Sequence, residues 1–272
     1  MVTPPGPAPI LDDIRAEAER VARAAVDSGL PVRLMGGLAI WVSSPTVRRE
    51  PFARPYADMD FAAASRGGRS AVGGFFEAQG YAPERYFNAL HGAQRLNYLA
   101  PDGRWTIDVV FDELNMSHRI DLRGRLSGPR PTIDLADLLL TKLQVWEINR
   151  KDLGDIACLL ADHPLAGTAR GERGAAADGP EPIDVDRIRA LAGADWGLCH
   201  TVERNLRQVR DTWRETRVDG ATYAVAEQAE ALLHAIEAGP KTLSWKARAR
   251  IGERVRWYET PEEVRHQPDA AQ

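Results

Sequence analysis

Cysteine is scarce in this chain, which has only Cys158 and Cys199 among its 272 residues. Both lie in apolar stretches with helix-like spacing, so we expect buried thiols rather than a disulfide or a zinc site. This usage is typical of a reducing compartment and favours a cytoplasmic protein. Lysine is scarce as well, because only four of the 35 Lys and Arg residues are lysines.

The chain also lacks an excess of charge and any long apolar run. Its net charge of −4 argues against a protein that coats nucleic acid non-specifically, although it leaves room for local basic patches. No apolar stretch approaches the length of a membrane span, and the proline-rich residues 1–9 lack the basic residues of a signal peptide. We expect a cytoplasmic protein with no membrane partner, two domains, and a disordered lead-in over residues 1–9.

A glycine pair stands between two apolar stretches near the start of the chain. Residues 32–35 are predicted to form a strand and residues 38–42 a helix, with Gly36 and Gly37 at the turn between them. The first amides of a helix have no intrahelical partner, and the helix dipole places a partial positive charge beside them. The turn is therefore a candidate phosphate site.

Two aspartates follow on a predicted strand over residues 58–63. Asp58 and Asp60 are separated by one residue, so both carboxylates share one face while Met59 and Phe61 point into the core. Two carboxylates this close repel each other unless a cation lies between them. The pair is therefore a candidate metal site.

A third aspartate, Asp108, lies in the middle of a predicted strand over residues 105–111. The preceding strand, predicted over residues 94–99, is joined to it by an Asp-Gly hairpin turn. Because an unpaired carboxylate in an apolar strand is costly to desolvate, we expect Asp108 to meet a cation beside the Asp58/Asp60 strand. The alternative is that Asp108 faces solvent on an open face of the sheet.

A predicted buried helix beginning at Asp134 carries Lys142 beside its apolar stripe. The ammonium of Lys142 suits a nucleotide phosphate, and the alternative is a lysine that only covers apolar surface with its stem. The next predicted helix opens with Asp152 and Asp155 one turn apart. For Asp155 the alternative is a simple ion pair with Lys151, four residues earlier.

Apolar periodicity and turn residues predict the remaining organisation of the chain. Residues 166–184 are rich in Gly, Ala and Pro and are expected to form a mobile linker. The basic, aromatic tail over residues 241–258 is compatible with contacts to RNA phosphates and bases, or with a helix that only covers the domain. Further helices are predicted over residues 10–28, 69–79, 185–192, 197–216 and 221–238.

Taken in order, these residues resemble the polymerase-beta-like nucleotidyltransferase superfamily. Its signature is a Gly-Gly or Gly-Ser pair at a helix start, then Asp-x-Asp, then a third aspartate on a later strand, and all three parts are present here. Arg54, four residues before Asp58, and the Lys142 helix followed by Lys-Asp-x-x-Asp are similar to the abortive-infection (AbiEii-like) toxin type. Tyr56 stands where that type usually carries Ser or Thr.

The resemblance implies an α+β (α/β) fold, a nucleotidyltransferase mixed β-sheet with flanking helices followed by a C-terminal helical domain. The expected division is a catalytic domain over residues 1–131, a helical segment over 132–165 that completes the nucleotide site, the linker, and a helical region over 185–272.

The resemblance also implies a Mg²⁺- or Mn²⁺-dependent enzyme that moves a nucleoside monophosphate from a nucleoside triphosphate to an acceptor hydroxyl. Asp58, Asp60 and Asp108 would be the catalytic residues and the metal ligands. The nucleotide would bind Gly36, Gly37, Arg54, Lys142, Asp152 and Asp155. The acceptor is expected to be RNA, particularly tRNA, and toxin-like members imply an antitoxin partner. The alternatives are a small-molecule (antibiotic) nucleotidyltransferase, or a non-catalytic nucleotide-binding protein with the same fold.

Overall fold

A computed structural model describes residues 10–167 and 179–260 of the chain. The predicted lead-in over residues 1–9 and the middle of the predicted linker lie outside the described residues.

The described residues form ten α-helices, nine strands and three short 3₁₀ turns. The helices are α1 (Ile14–Asp27), α2 (Gly36–Ser43), α3 (Arg69–Ala78), α4 (Arg85–His91), α5 (Leu135–Leu143), α6 (Arg150–Asp162), α7 (Val185–Ala194), α8 (Trp196–Thr212), α9 (Val225–Ala238) and α10 (Leu243–Ile251). The strands are β1 (Val32–Met35), β2 (Asp58–Ala63), β3 (Ala82–Pro83), β4 (Arg95–Leu99), β5 (Thr106–Phe111), β6 (Glu113–Asn115), β7 (Arg119–Asp121), β8 (Leu165–Ala166) and β9 (Ile183–Asp184).

The central sheet has the strand order β1-β2-β5-β4-β3. β2 and β5 are parallel, whereas the other neighbouring strands are antiparallel. A mixed sheet with flanking helices, followed by a helical region, confirms the predicted α+β fold class.

Alternation along β2 decides which side chains enter the core. Met59 and Phe61 are fully buried, and Phe61 meets Phe76 of α3 edge-on with ring centroids 5.3 Å apart. Asp58 is exposed and Asp60 is partly buried on the opposite face. The apolar residues of the strand thus fix the register that leaves the two carboxylates on one side.

The outer edge of β1 is covered by the segment that leads into α5. The backbone N–H of Leu34 donates to the carbonyl of Pro131, and the N–H of Ile133 donates to the carbonyl of Leu34. These bonds bring the start of α5 beside β1 and hence beside the glycine turn that follows it. Most of α5 is buried, and Leu138 and Leu139 are fully enclosed.

The predicted helices are present with shifted ends. α1 begins at Ile14 because the side chain of Asp13 caps it by accepting a hydrogen bond from the N–H of Arg15. α9 begins at Val225, four residues later than predicted. Sequence periodicity missed α4, and the reason is physical: no residue of α4 is buried, so it shows no apolar stripe.

The two ends of the predicted linker are paired with each other. β8 and β9 lie parallel, with Leu165 opposite Ile183 and Ala166 opposite Asp184. The expectation of a mobile linker therefore concerns the residues between them, 168–178, which lie outside the described residues.

The two cysteines, Cys158 and Cys199, are buried free thiols, as predicted. Burial raises the pKa of the Cys199 thiol to about 12, and the neighbouring Glu203 adds to the rise. Burial raises the pKa of the Cys158 thiol as well, so neither thiol is activated for chemistry at neutral pH. Among the described helices, none combines the length and the apolar character that crossing a membrane requires.

Candidate active site

The three predicted aspartates lie on two adjacent strands. β2 and β5 are in a register that places Asp60 opposite Asp108 and Asp58 opposite Thr106. Residues that are partners in a parallel pair point to the same face, so all three carboxylates lie on one side of the sheet. The predicted neighbourhood of the Asp58/Asp60 strand and the Asp108 strand is therefore present.

The glycine turn lies directly against this face. Gly36, the first residue of α2, has a φ of +68°, and its backbone approaches Asp60 closely. A Cβ atom at Gly36 would stand 2.2 Å from an oxygen of the Asp60 carboxylate. Met35, which precedes α2, gives its first amides no side-chain cap. The turn thus combines uncapped amides with an adjacent carboxylate, as expected where a phosphate and a metal ion meet.

Replacing Gly36 with alanine is expected to destabilise the protein by about 3 kcal/mol, because the new methyl group adds steric overlap to a strained backbone. Gly29→Ala is the matched control, since Gly29 has a φ of +70° and a Cβ there would meet nothing within 4 Å. Urea unfolding should give a loss of about 1 kcal/mol for the control, from the backbone alone. Equal losses in the two variants would contradict the close approach of Asp60.

Asp60 is held in an unfavourable electrostatic position. Burial, followed by the negative charge of Asp58, raises the pKa of the Asp60 carboxyl to about 6, although Lys142 and Arg95 oppose the rise. A group with this pKa favours a bound cation, because a cation would offset both causes.

The cation beside Asp108 is a guanidinium. Arg95 of β4 forms a two-pronged ion pair with Asp108, in which its Nε lies 2.5 Å from Oδ1 and its Nη2 contacts Oδ2. Asn97, the cross-strand partner of Asp108, places its amide nitrogen 3.3 Å from Oδ1 when the amide is oriented to donate. The prediction that Asp108 meets a cation holds, but the cation is part of the chain.

Sequence reasoning missed Arg95, although a signal for it was present. Counting back from the Asp-Gly hairpin pairs Asn97 with Asp108 and Arg95 with Val110. Alternation then puts Arg95 on the same face as Asp108. Within residues 10–167 and 179–260, no three His, Cys, Asp or Glu side chains converge closely enough to hold a metal ion. Asp60 is the cross-strand partner of Asp108, but both carboxylate oxygens of Asp108 contact Arg95.

A second charged cluster lies on the helical side of the glycine turn and consists of Arg54, Lys142, Asp152 and Asp155. The Nζ of Lys142 lies 2.6 Å from an oxygen of Asp152 and 3.0 Å from one of Asp155. Arg54 contacts both oxygens of Asp155, at 2.7 and 2.9 Å. Asp155 is completely buried, and we call this set the buried charge cluster.

The four members of the buried charge cluster, all predicted to bind nucleotide, are thus brought together. Burial alone would lower the pKa of Lys142, but Asp155 and Asp152 outweigh it and raise that pKa. The two alternatives raised by the sequence do not hold: Lys142 does more than cover apolar surface, and Asp155 pairs with Arg54 and Lys142 rather than with the exposed Lys151. The cluster is neutral overall, since two cations face two carboxylates.

Tyr56 links the glycine turn to the buried charge cluster. The guanidinium of Arg54 lies 5.1 Å from the centre of the Tyr56 ring, and a Cβ at Gly37 would be 3.0 Å from that ring. The phenolic oxygen of Tyr56 is buried and receives no hydrogen bond from the described residues. A buried hydroxyl without a partner is costly, so it is a ready donor to a phosphate oxygen at this point.

Comparisons with known proteins give a weak likeness in structure alone. No protein-family model matches the chain, and no curated protein matches it in sequence. JHP933 from Helicobacter pylori is a similar solved structure, with 13% identity, a TM-score of 0.33, and coverage of 88% of this chain and 97% of that one. A candidate nucleotidyltransferase from H. pylori gives 14% identity, a TM-score of 0.34, and coverage of 89% and 99%. Likeness at this level carries no conclusion about function.

The donor set on the sheet fits a hard divalent cation. Asp58 is exposed, Asp60 is partly buried, and both offer carboxylate oxygens on the same face, which are the ligands that Mg²⁺ and Mn²⁺ prefer. Burial and the negative charge of Asp58 raise the pKa of Asp60, and a bound cation would offset both causes. Asp58 and Asp60 therefore fit the metal, and Asp108 would join them only after Arg95 moves aside.

Proposed function

We propose that the protein is a Mg²⁺-dependent nucleotidyltransferase that moves a nucleoside monophosphate from a nucleoside triphosphate to an acceptor hydroxyl. The observation that carries the proposal is the position of Asp60, which lies opposite Asp108 in the sheet and against the backbone of Gly36. A glycine turn with uncapped amides and a row of carboxylates therefore lie side by side, which supports the proposal. Transfer of a nucleotidyl group needs both together.

In this proposal Asp58 and Asp60 hold the metal, with Mn²⁺ as a substitute for Mg²⁺. A metal bound there would neutralise charge on the phosphates and polarise the acceptor hydroxyl. The other residues of the site position the triphosphate. The amides at Gly36 and Gly37 hold phosphate oxygens, and Tyr56 donates its unpartnered hydroxyl to one of them.

The buried charge cluster supports the nucleotide from the helical side. The charges of Lys142 and Arg54 are already balanced by Asp152 and Asp155. Lys142 and Arg54 therefore contact the triphosphate as donors fixed in orientation rather than as free charges. The ion pairs hold both side chains beside the glycine turn before any ligand arrives. Such preorganisation lowers the entropy lost on binding.

The proposed acceptor is RNA, particularly tRNA. It is supported by five basic residues near the end of the described chain: Lys246, Arg248, Arg250, Arg254 and Arg256. Within the described ranges none of the five forms an ion pair with a carboxylate, so the group favours an anionic acceptor over a cationic drug such as an aminoglycoside. Incubating the protein with labelled nucleoside triphosphates and total RNA tests this. Labelling of a small hydroxylated drug and of no RNA would reverse the choice of acceptor.

The toxin-type resemblance adds an antitoxin partner to this proposal. Co-expression with the neighbouring gene product and co-purification of the two would test it. Growth arrest that depends on Asp60 and is relieved by such a partner would support a toxin role.

A second candidate is a non-catalytic protein that binds a nucleotide with the same fold. The ion pair between Arg95 and Asp108 favours it, because that contact occupies the third carboxylate with a permanent cation. The presence of both Asp58 and Asp60 favours catalysis, since an acidic pair without a metal costs stability. The response to Mg²⁺ and nucleotide separates the two candidates.

Replacing Arg95 with glutamine is expected to raise the affinity for Mn²⁺ or Mg²⁺ by about tenfold, because Asp108 then becomes available as a third carboxylate ligand. Calorimetric titration of the metal, without nucleotide, measures this. The control is Arg85→Gln, an exposed arginine on α4 that should leave the affinity unchanged. If Arg95 instead holds a phosphate, metal affinity will stay the same while nucleotide affinity falls, and its role as a competitor of the metal is then wrong.

A further inference from the structure

A large open cavity lies between α8, α10 and residues 256–259, outside the candidate active site. Its volume is about 560 Å³, which is within the usual range of about 300–1,000 Å³ for small-molecule sites. Its walls combine four large aromatic side chains with two guanidinium groups. These six are Trp196, Trp245, Trp257, Tyr258, Arg248 and Arg256. We call it the aromatic–arginine cavity.

The aromatic rings around this cavity are ordered by one another. Trp196 stacks on His200 with centroids 5.0 Å apart and planes inclined by 11°. Trp146, four residues after Lys142, stacks on Tyr258 with centroids 5.0 Å apart. Trp257 meets Trp146, Trp196 and His200 edge-on. These contacts hold the rings in fixed planes, whereas Trp245 stacks on no aromatic ring of the described residues and has only Lys241 over it.

The two arginines form no ion pair among the described residues. Arg248 lies over Trp196, 4.8 Å from the ring centre, and donates to the carbonyls of Gly252 and Val255. Arg256 lies over Tyr258 at 4.7 Å and donates to the hydroxyl of Thr260. The carboxylates of Asp195 and Glu259 also line the cavity, but Asp195 caps α8 by accepting from the N–H of Leu198, and Glu259 is exposed. Both guanidinium groups therefore remain available to an anion.

The wall formed by residues 256–259 is fixed by bonds to the body of the protein. The N–H of Glu259 donates to the carbonyl of Ser117, and the indole N–H of Trp257 lies 3.3 Å from the hydroxyl of Thr201. A Cβ at Gly197 would stand 2.8 Å from the carbonyl oxygen of Trp257, so the wall lies directly on the start of α8. Trp257 and Tyr258 nevertheless remain partly exposed, so the cavity is a shaped opening and not a closed core.

We propose that the aromatic–arginine cavity binds an unpaired nucleotide of single-stranded RNA. The ring of Trp245, which stacks on no aromatic ring of the described residues, accepts the base, and Arg248 and Arg256 provide the cations for the adjoining phosphates. An acidic peptide would use the arginines but not the four aromatic rings, and a lipid surface would require a flat face rather than a cavity. The site rests on the proposed function in that it would hold the RNA acceptor, yet its binding step needs neither Mg²⁺ nor nucleoside triphosphate.

The test is fluorescence anisotropy with a 5′-labelled single-stranded RNA of about ten nucleotides, using the full chain in EDTA and without nucleotide. Arg256→Glu and Trp245→Leu are each expected to weaken binding by about tenfold or more, since each removes one of the two kinds of contact. Arg85→Glu and Arg217→Glu are the matched controls, because both residues are exposed, make the same change of charge, and lie outside both the cavity and the basic group near the end of the described chain. They should weaken binding by about twofold or less.

Circular dichroism and melting establish that each variant is folded, and Arg256→Glu carries the test if Trp245→Leu does not fold. Equal losses of RNA affinity in Arg256→Glu and Arg217→Glu would overturn the proposal, because binding would then follow net charge alone. Tighter binding of the duplex form of the same RNA, of free nucleoside triphosphate or of a glutamate-rich peptide would also overturn the proposal.

The Asp58→Asn, Asp60→Asn double variant separates this inference from the proposed function. It should bind the RNA as tightly as the wild type while losing nucleotidyl transfer. Transfer to RNA that survives in Arg256→Glu with unchanged RNA affinity would leave the enzyme proposal in place and overturn the cavity.

Discussion

Replacing Asp60 with asparagine is expected to raise the melting temperature at neutral pH and to abolish any stabilisation by Mg²⁺ and nucleoside triphosphate. The carboxyl of Asp60 has a pKa raised to about 6 by burial and by Asp58. Because this pKa lies above that of the unfolded chain, the folded state binds the proton more tightly, and ionisation of Asp60 destabilises the fold. This loss in the free energy of unfolding is absent below about pH 4, grows between about pH 4 and 6, and reaches about 2–3 kcal/mol at pH 7.

Thermal melting at pH 7.5 and pH 4, with and without Mg²⁺ and each nucleoside triphosphate, measures both effects. The variant should gain stability over the wild type at pH 7.5 and little at pH 4. The wild type should gain about 4 kcal/mol from millimolar Mg-nucleotide if its dissociation constant is micromolar, and the variant should gain none. Asp219→Asn, at an exposed site in the helical region, is the control for loss of one charge.

Two outcomes would change the assignment of the site. If Asp60→Asn melts no higher than the wild type at pH 7.5, the claim that ionised Asp60 destabilises the fold is wrong. The second outcome is that the double variant Asp58→Asn, Asp60→Asn melts at a higher temperature than the wild type while no Mg-nucleotide stabilises the wild type. In that case the two carboxylates have no role in binding metal or nucleotide. The non-catalytic candidate would then be preferred.

The carboxylate side of the site could be predicted because local pattern determines it. Alternation along residues 58–63 separates Met59 and Phe61 from Asp58 and Asp60, and the structure has the same strand with the same two faces. The glycine turn is equally local, since it needs only an apolar strand before it and an apolar helix after it. Features of this kind depend on a few consecutive residues and their periodicity.

The partners of the charged side chains could not be predicted in the same way. Arg54 and Asp155 are 101 positions apart, and no local pattern indicates that they meet. Their contact depends on how α6 packs against the loop before β2, which is a matter of tertiary structure. Arg95 could be predicted in part. The hairpin register gives its position on β4, but the direction of its side chain depends on the ion pair with Asp108.

This difference affects the proposed mechanism. Sequence reasoning treated Lys142 and Arg54 as free cations for a triphosphate, whereas the structure shows both bound to carboxylates. The uncapped amides of the glycine turn, and the Tyr56 hydroxyl near that turn, are therefore the groups left to bind a phosphate. Polar groups without partners in the free protein are those with the most to gain from a ligand.

Replacing Asp155 with alanine is expected to destabilise the protein by about 3–5 kcal/mol, because Arg54 and Lys142 would then lose their shared buried counter-ion. Asp155 is completely buried and contacts both cations, whereas Asp152 contacts Lys142 and retains 15% exposure. Asp152→Ala is therefore the matched comparison within the same cluster. Its loss should be about 1–2 kcal/mol, since water can partly replace the carboxylate.

A double-mutant cycle decides whether the buried charge cluster acts as a unit. Adding Lys142→Met to Asp155→Ala should restore part of the lost stability, because it removes one of the cations left without a counter-ion. Urea unfolding at pH 7 gives the four free energies of the cycle. Strictly additive losses, or equal losses for Asp155→Ala and Asp152→Ala, would mean that the fold does not depend on a buried ion pair at Asp155. The nucleotide side of the site would then need a different explanation for the fixed positions of Lys142 and Arg54.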